Sequence, residues 1–232
     1  MEERKLSYAG KILHVDLSTG KTETKPLKED MAKKYLGGIG LGMRIFLDYS
    51  KPGTDALSPK TPLIFVTGPL SGTMAASAGN SYAVVSKSPQ TGGISESKSH
   101  GFFGADLKRA GYDAVVFTGK SEKPVYAWID DDTIQLMDAQ HLKGKPPHEI
   151  ETAIREELGD FYIRVSAIGQ AGENLVRTAC IINDEFRAIG RTGMGAVMGS
   201  KNLKAVAVRG THDVNVADLE GFVEFVKMIH ER

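Results

Sequence analysis

Apolar and polar residues alternate from Tyr8 to Leu17, the period-two pattern of a half-buried strand, and Ser18-Thr19-Gly20-Lys21 then turns the chain into a second strand at Thr22–Lys25. Two short helices are predicted at Lys28–Leu36 and Gly40–Tyr49, separated by Gly37-Gly38. The run Leu63–Thr67 and the segment Tyr82–Ser86 predict further strands, with a Gly/Ser/Ala-rich loop between them. Ser88–His100 is polar and contains glycine, which predicts a loop longer than a plain hairpin connection. Phe102–Ala110 predicts a helix closed by Gly111. Strands follow at Ala114–Thr118, Val125–Ile129 and Thr133–Met137, the last two joined through Asp130-Asp131-Asp132. The clearest amphipathic helix is Pro147–Leu158, where Ile150, Ile154 and Leu158 recur every four residues. Strands at Arg164–Ile168, Ala179–Ile182 and Leu203–Val208 and a last helix at Leu219–Met228 complete the pattern. Many short strands with a few helices predict an α+β fold rich in antiparallel sheet. No internal repeat is legible.

Composition narrows the function classes. A chain of 232 residues holds one large domain or two small ones, and 29 basic residues against 29 acidic ones give a formal net charge of zero. That balance argues against a general binder of nucleic acid or membrane surfaces, which carries a basic excess. No apolar run reaches the roughly 20 residues of a bilayer span, and Met1-Glu2-Glu3-Arg4-Lys5 lacks the apolar stretch of a secretory signal. The single cysteine, Cys180, rules out an internal disulfide, fits a cytoplasmic location, and rules out any cluster ligated by several cysteines of this chain. In its apolar setting it is expected to be a buried, inert thiol. The glycines are the unusual feature: 26 of them, in clusters, against an average of about 7% of residues. Clusters of this kind serve tight turns or bring backbone close to something else.

Gly190-Arg191-Thr192-Gly193-Met194-Gly195-Ala196-Val197-Met198-Gly199-Ser200-Lys201 invites comparison with a nucleotide loop, but no Gly-Lys-[Ser/Thr] closes a four-residue gap and Met198 stands where a dinucleotide fingerprint needs its third glycine. Gly38-x-Gly40-x-Gly42 fails in the same way. A glycine-rich loop flanked by Arg187 and Arg191 can still aim N–H groups and guanidinium forks at phosphate oxygens. Each close Arg–phosphate pair is worth about 4 kcal/mol of Coulomb attraction at an effective dielectric near 20, before desolvation. Residue chemistry alone leaves an anion site and a purely structural loop both open. The same holds for Ser95-Glu96-Ser97-Lys98-Ser99-His100-Gly101, where Lys98 and His100 precede a helix. Glu173 and Asn174 read as turn-stabilising residues, and no pair of the remaining histidines has metal-ligand spacing.

Taken together, the segments resemble the N-terminal domain of the tungsten-containing aldehyde ferredoxin oxidoreductase family. The resemblance rests on Gly10-Lys11-Ile12-Leu13-His14-Val15-Asp16-Leu17-Ser18-Thr19-Gly20, Tyr35-Leu36-Gly37-Gly38, Thr67-Gly68-Pro69-Leu70-Ser71-Gly72-Thr73 and Ser86-Lys87-Ser88-Pro89. It continues through Phe103–Ala114, Ile168–Val176 and Gly195–Ala205, so that it spans roughly residues 8–210. It implies a two-sheet base for a tungsten (or molybdenum) bis-pyranopterin cofactor whose phosphates are bridged by magnesium. By that resemblance Arg187, Gly190 and Arg191 contact pterin phosphates, and Ala188 gives magnesium a backbone carbonyl. Ser81, beside Asn80, stands where the family commonly has an arginine between pterin and iron–sulfur cluster. Lys98 stands at a second magnesium position, also through its carbonyl, and His100 replaces a glycine near the pterin. None of these is a catalytic proton-transfer residue.

The family's [4Fe–4S] cysteines and acid/base residues lie in later helical domains, so residues 1–210 are expected to form the cofactor-binding domain and residues 211–232 a tail or the start of the next domain. Expected partners are those remaining domains or a partner subunit, ferredoxin and an aldehyde, with self-association open and no nucleic acid or membrane. The alternative is a stand-alone, non-catalytic binding or assembly module that keeps the fold with a site altered at Ser81, Lys98 and His100.

Overall fold

A computed structural model describes residues 7–75 and 78–231; Met1–Lys5, read above for a signal, lies outside them. The first half opens with the hairpin β1 (Lys11–Asp16) and β2 (Thr22–Pro26) and the helices α1 (Glu29–Tyr35) and α2 (Gly38–Tyr49). It continues with β3 (Leu63–Thr67), β4 (Tyr82–Lys87), β5 (Ile94–Ser99), α3 (Phe103–Arg109) and β6 (Ala114–Thr118). The second half runs through the hairpin β7 (Val125–Asp130) and β8 (Thr133–Asp138), α4 (Pro147–Leu158), β9 (Arg164–Ala167) and α5 (Gln170–Glu173). It ends with β10 (Ile181–Asn183), β11 (Arg187–Ile189), α6 (Met194–Ser200), β12 (Leu203–Arg209) and α7 (Leu219–His230).

The strands form two six-stranded sheets, in the orders β2-β1-β6-β3-β4-β5 and β8-β7-β12-β9-β10-β11. In each, an antiparallel hairpin comes first, three antiparallel strands follow, and the last strand returns between the two sets, parallel to the hairpin's first strand. The two halves therefore share one topology. This is the internal repeat that the sequence conceals. Even the junctions agree: Gly101 (φ 105°) and Thr192 (φ 64°) each precede the helix after the third strand, and Gly111 (φ 95°) and Asn202 (φ 56°) each follow it.

The sheets face one another across the main core, with Leu13, Phe65, Val84 and Phe117 from one meeting Ile129, Ile181, Val206 and Val208 from the other. Phe103 and Leu107 of α3 and Met194 and Val197 of α6 fill the same core. Outside the first sheet, Leu41, Ile45 and Phe46 of α2 cover Ile64, Val66, Val85 and Val116. Outside the second, Ile150 and Ile154 of α4 cover Val165, Ala205 and Ala207. This layering explains why β3 and β4 are almost continuously apolar: strands covered on both faces lose the alternation that β1 retains.

Among the described residues, one ion pair is fully buried at both ends. Lys108 of α3 and Asp113, both essentially without solvent, form an ion pair, and Asp113 also accepts from the N–H groups of Ala9 and Gly10 at 3.2 and 2.6 Å. The carboxylate thus ties the N-terminal strand to the end of the helix. Asp113→Ala would leave a buried ammonium without its partner, and is expected to destabilise the fold by about 3–5 kcal/mol in chemical denaturation. A loss below about 1 kcal/mol would mean that water reaches Lys108.

Candidate functional site

Strands β5 and β11 are the edge strands of their respective sheets, and they lie beside one another. The Arg191 N–H donates to Ser97 Oγ across this seam at 3.2 Å. Lys98, on β5 opposite Ala83, is exposed, as is His100 just beyond the strand. Arg187, Ala188, Gly190 and Arg191, on and just after β11, are exposed too. The register Tyr82↔Ser99 brings Ser81, half-buried, alongside His100. All seven residues singled out from the sequence therefore fall on one strip spanning the two sheets. Lys98 lies on a strand, not in the loop that Ser88–His100 predicted: residues 94–99 of that stretch pair with β4 as a hairpin arm, and only residues 88–93 form the connecting turn.

Ser81 brings no charge to this strip. Its hydroxyl donates to the Ala78 carbonyl at 3.0 Å, and its own carbonyl accepts from Ser71 Oγ at 2.7 Å. The four basic residues Lys98, His100, Arg187 and Arg191 keep their side chains at the surface.

The glycines after β11 mostly serve the protein itself. An added Cβ would lie 2.0 Å from the Arg177 carbonyl oxygen at Gly193, 2.4 Å from that of Cys180 at Gly195, and 2.0 Å from that of Gly172 at Gly199. Helix α6 needs those glycines to lie against α5 and the segment before β10. Gly190 differs: it is exposed, and an added Cβ there would meet only Ala188. The structural reading of the loop thus holds for Gly193–Gly199, and the space for a ligand is confined to Arg187–Arg191.

Lys201 is likewise no phosphate lysine. It is fully buried, donates to the carbonyls of Pro59 and Gly119 at 3.2 and 3.3 Å, and burial lowers its pKa to about 8. Cys180 departs from the expected buried thiol. It lies outside β10, is partly exposed, and points its sulfur at the Gly190 carbonyl 3.7 Å away. Glu173, read from the sequence as turn-stabilising, ties distant segments together instead, pairing with Lys204 and accepting from the Gly144 N–H at 3.0 Å.

Beneath the strip lies a polar network that sequence reading missed. Asn183, 1% exposed, accepts from Ser99 Oγ at 2.8 Å and Tyr82 Oη at 3.0 Å, and donates to the His100 carbonyl at 2.9 Å. Asp184 Oδ2 accepts from Asn183 Nδ2 at 2.7 Å and from the N–H groups of Phe102 and Phe103 at 2.8 and 3.3 Å. Asn-Asp after an apolar strand signals a turn, but nothing in the local sequence says that its side chains cross to the other sheet.

With this geometry in view, the sequence matches the family described as "Aldehyde ferredoxin oxidoreductase, N-terminal domain" over residues 12–210. The chain belongs to this family. It is 50% identical over 218 residues to the tungsten-containing aldehyde ferredoxin oxidoreductases of Pyrococcus furiosus and Thermococcus kodakarensis, which covers 94% of this chain but 36% of each relative. It is 37% identical to a P. furiosus "aliphatic sulfonate oxidoreductase, WOR-like subunit", over 88% of this chain and 35% of that one. Among solved structures, the active-site complex BamBC of benzoyl coenzyme A reductase, with 1,5-dienoyl-CoA, superposes with a TM-score of 0.94 at 40% identity. That match covers 97% of this chain and 34% of the neighbour. The chain thus spans about 36% of the length of the aldehyde ferredoxin oxidoreductases it matches. Its α+β fold of two mixed sheets is that of this N-terminal domain.

Within this aldehyde ferredoxin oxidoreductase domain, Asp106 lies next to the network. Burial is the main influence on it and raises its pKa to about 6 from 3.8, against the opposing effect of Arg164, Arg109 and Arg209. A folded-state pKa above the unfolded one means that the native state holds the extra proton. The stability this confers is full below about pH 4 and is lost as pH rises through about 6. Asp106→Asn is therefore expected to melt higher than wild type above pH 6, with the gap closing by pH 4. Parallel melting curves across that range would show that Asp106 titrates normally.

Proposed function

We propose that this chain is the base on which a tungsten (or molybdenum) bis-pyranopterin is held in an oxidoreductase of the aldehyde ferredoxin oxidoreductase type. The observation that carries the reading is the seam between β5 and β11, where two edge strands bring Lys98, His100, Arg187 and Arg191 onto one exposed strip. A doubly phosphorylated ligand fits such a strip. Guanidinium forks at Arg187 and Arg191 suit phosphate oxygens, and the absence of a Cβ at Gly190 leaves backbone open to close approach. Among the described residues there is no group of three or more His, Cys, Asp or Glu that could hold a metal ion. The magnesium assigned here needs none. Backbone carbonyls of Lys98 and Ala188, both on edge strands, are hard oxygen ligands of the kind that Mg²⁺ takes together with phosphates and water.

When bound, the cofactor would supply two-electron oxidation of an aldehyde to a carboxylic acid. The chain's own residues contribute phosphate binding, magnesium binding through carbonyls, and orientation. The [4Fe–4S] cluster, the acid/base groups and the contact with ferredoxin are assigned to the remaining domains or a partner subunit, with residues 211–232 leading toward them. Ser81, neutral and internally bonded, would offer the cofactor no cation where the family commonly has an arginine, so electron transfer here would have to proceed without that residue. Proteins named for aldehydes, sulfonates and benzoyl-CoA all match this one domain. That supports assigning substrate choice to parts of the enzyme outside it. Among the described residues no helix is long and apolar enough to cross a membrane, and a cytoplasmic location is proposed.

The test is to express the natural polypeptide whole in a host that makes the tungsten–pterin cofactor and to assay purified protein for pterin, tungsten and phosphate. Substoichiometric pterin in wild type would overturn the reading in favour of a non-catalytic binding or assembly module. Arg191→Ala and Arg187→Ala remove exposed side chains and are expected to change stability by less than about 0.5 kcal/mol. Each deletes a charge-assisted phosphate contact worth about 1.5–3 kcal/mol, and so should weaken pterin retention roughly 10- to 100-fold.

A further inference from the structure

We infer that Asn183 and Asp184 are positioning residues that hold the two halves of the cofactor strip in register, an inference that rests on the function proposed above. The pair sits where β10 ends and the β10–β11 turn begins, with Asn183 paired in register with Arg187, and its side chains reach across to the backbone of the other half. Asn183 Nδ2 fixes the His100 carbonyl at 2.9 Å, and Asp184 Oδ2 fixes the N–H groups of Phe102 and Phe103 at 2.8 and 3.3 Å. One dipeptide therefore sets where the segment after Lys98 lies relative to the segment carrying Arg187, Ala188, Gly190 and Arg191.

Three further observations show that the arrangement is built, not incidental. Asp184 and Glu185 both have left-handed backbone, at φ 45° and 64°, which is strained for non-glycine residues and persists only where the surroundings over-determine it. Glu185 is held by its N–H donating to Glu151 Oε2 at 2.9 Å, and Asp184 by its three donors. Opposite, Gly101 has φ 105°, and a Cβ there would lie 2.2 Å from Asp184 Oδ2 and 3.0 Å from Asn183 Nδ2. The glycine makes room for the clasp. Finally, Asn183 is itself fixed from below by Tyr82 and Ser99, and Tyr82 Oη lies 3.1 Å from Ser166 Oγ. Strands β4, β5, β9 and β10 thus all enter the same network. A bis-pyranopterin laid over the seam, with a phosphate on each pterin, would need phosphate donors from both halves at fixed separation, and this network is what would fix it.

The experiment compares wild type, Asp184→Ala and Asp184→Asn in the natural polypeptide, expressed whole in a host that makes the tungsten–pterin cofactor. Pterin and tungsten per chain, the melting temperature, and amide exchange at Phe102 and Phe103 are measured for each. Removing an outer residue that orients a metal site costs about 10- to 100-fold in affinity. Asp184→Ala is expected to lose pterin to that extent and to exchange faster at Phe102 and Phe103, while its core amides stay protected. Asp184→Asn keeps an acceptor oxygen for those N–H groups and is expected to restore most of the pterin content. Wild-type pterin content in Asp184→Ala, or a loss that tracks unfolding of the whole core and is not rescued by asparagine, overturns the positioning role. Wild type without pterin overturns the cofactor reading and this role with it. Should Asp184→Ala fail to accumulate, Ser99→Ala removes one donor from Asn183; a few-fold loss of pterin at unchanged melting temperature supports the role, and unchanged content overturns it.

Discussion

Where two sheets pack face to face through an apolar core, any polar side chain left between them must find all its partners inside the protein, because an unmade hydrogen bond there costs about 1–3 kcal/mol. Asn183 meets that demand with donors and acceptors drawn from both halves of the chain. The dependence runs the other way as well, since sliding one sheet past the other would strand several buried groups at once. Apolar packing alone tolerates small shifts. The network does not, and the exposed strip above it inherits that fixed geometry.

The halves also grip one another at corresponding places. The tip of the β10–β11 hairpin closes on Gly101, just before α3, through Asp184. The tip of the β4–β5 hairpin closes on Gly193, just before α6, where a Cβ would lie 2.9 Å from Pro89. Each half thus uses its hairpin tip to seat the other's strand–helix junction. A repeated topology makes such reciprocity natural, and it places the two candidate ligand-binding segments next to each other, on adjoining edge strands.

Glycine serves two ends here that composition does not separate. At Gly195 and Gly199 the absence of a Cβ lets helix backbone meet carbonyl oxygens of the protein. At Gly190 the same absence faces open surface. A glycine-rich sequence therefore marks close backbone approach, and only the tertiary structure says whether the approaching atom belongs to the chain or to a ligand. Lys201 makes the same point: beside Gly199 and Ser200 it resembles a phosphate-binding lysine, yet it is buried and committed to two carbonyls.

Strong local periodicity made much of the fold legible. The alternation from Tyr8 to Leu17 and the four-residue spacing of Ile150, Ile154 and Leu158 each specify an element and its buried face, because side-chain direction repeats with the backbone period. Resemblance to a family carried the reading from elements to a site, and brought Arg187, Ala188, Gly190, Arg191, Lys98, His100 and Ser81 forward as one group. Strand β5 was hidden because Ser95-Glu96-Ser97-Lys98-Ser99 has no apolar alternation; as an edge strand it is specified by its partner β4 and not by its own side chains. The doubled topology was hidden because strand order depends on which backbones pair, and two halves can pair alike with different side chains. The sequence by itself therefore determined the strongly periodic elements, their buried faces and the family, all of which follow from the order and spacing of residue types; β5, α5, β11 and α6 were not legible in it. The meeting of β5 with β11, the clasp at Asn183 and Asp184, and the separation of exposed from protein-packed glycines were decided only by tertiary structure. The first two depend on groups about 80 to 100 residues apart coming within hydrogen-bond distance, the glycine distinction on which backbone packs against each one, and no local pattern encodes either.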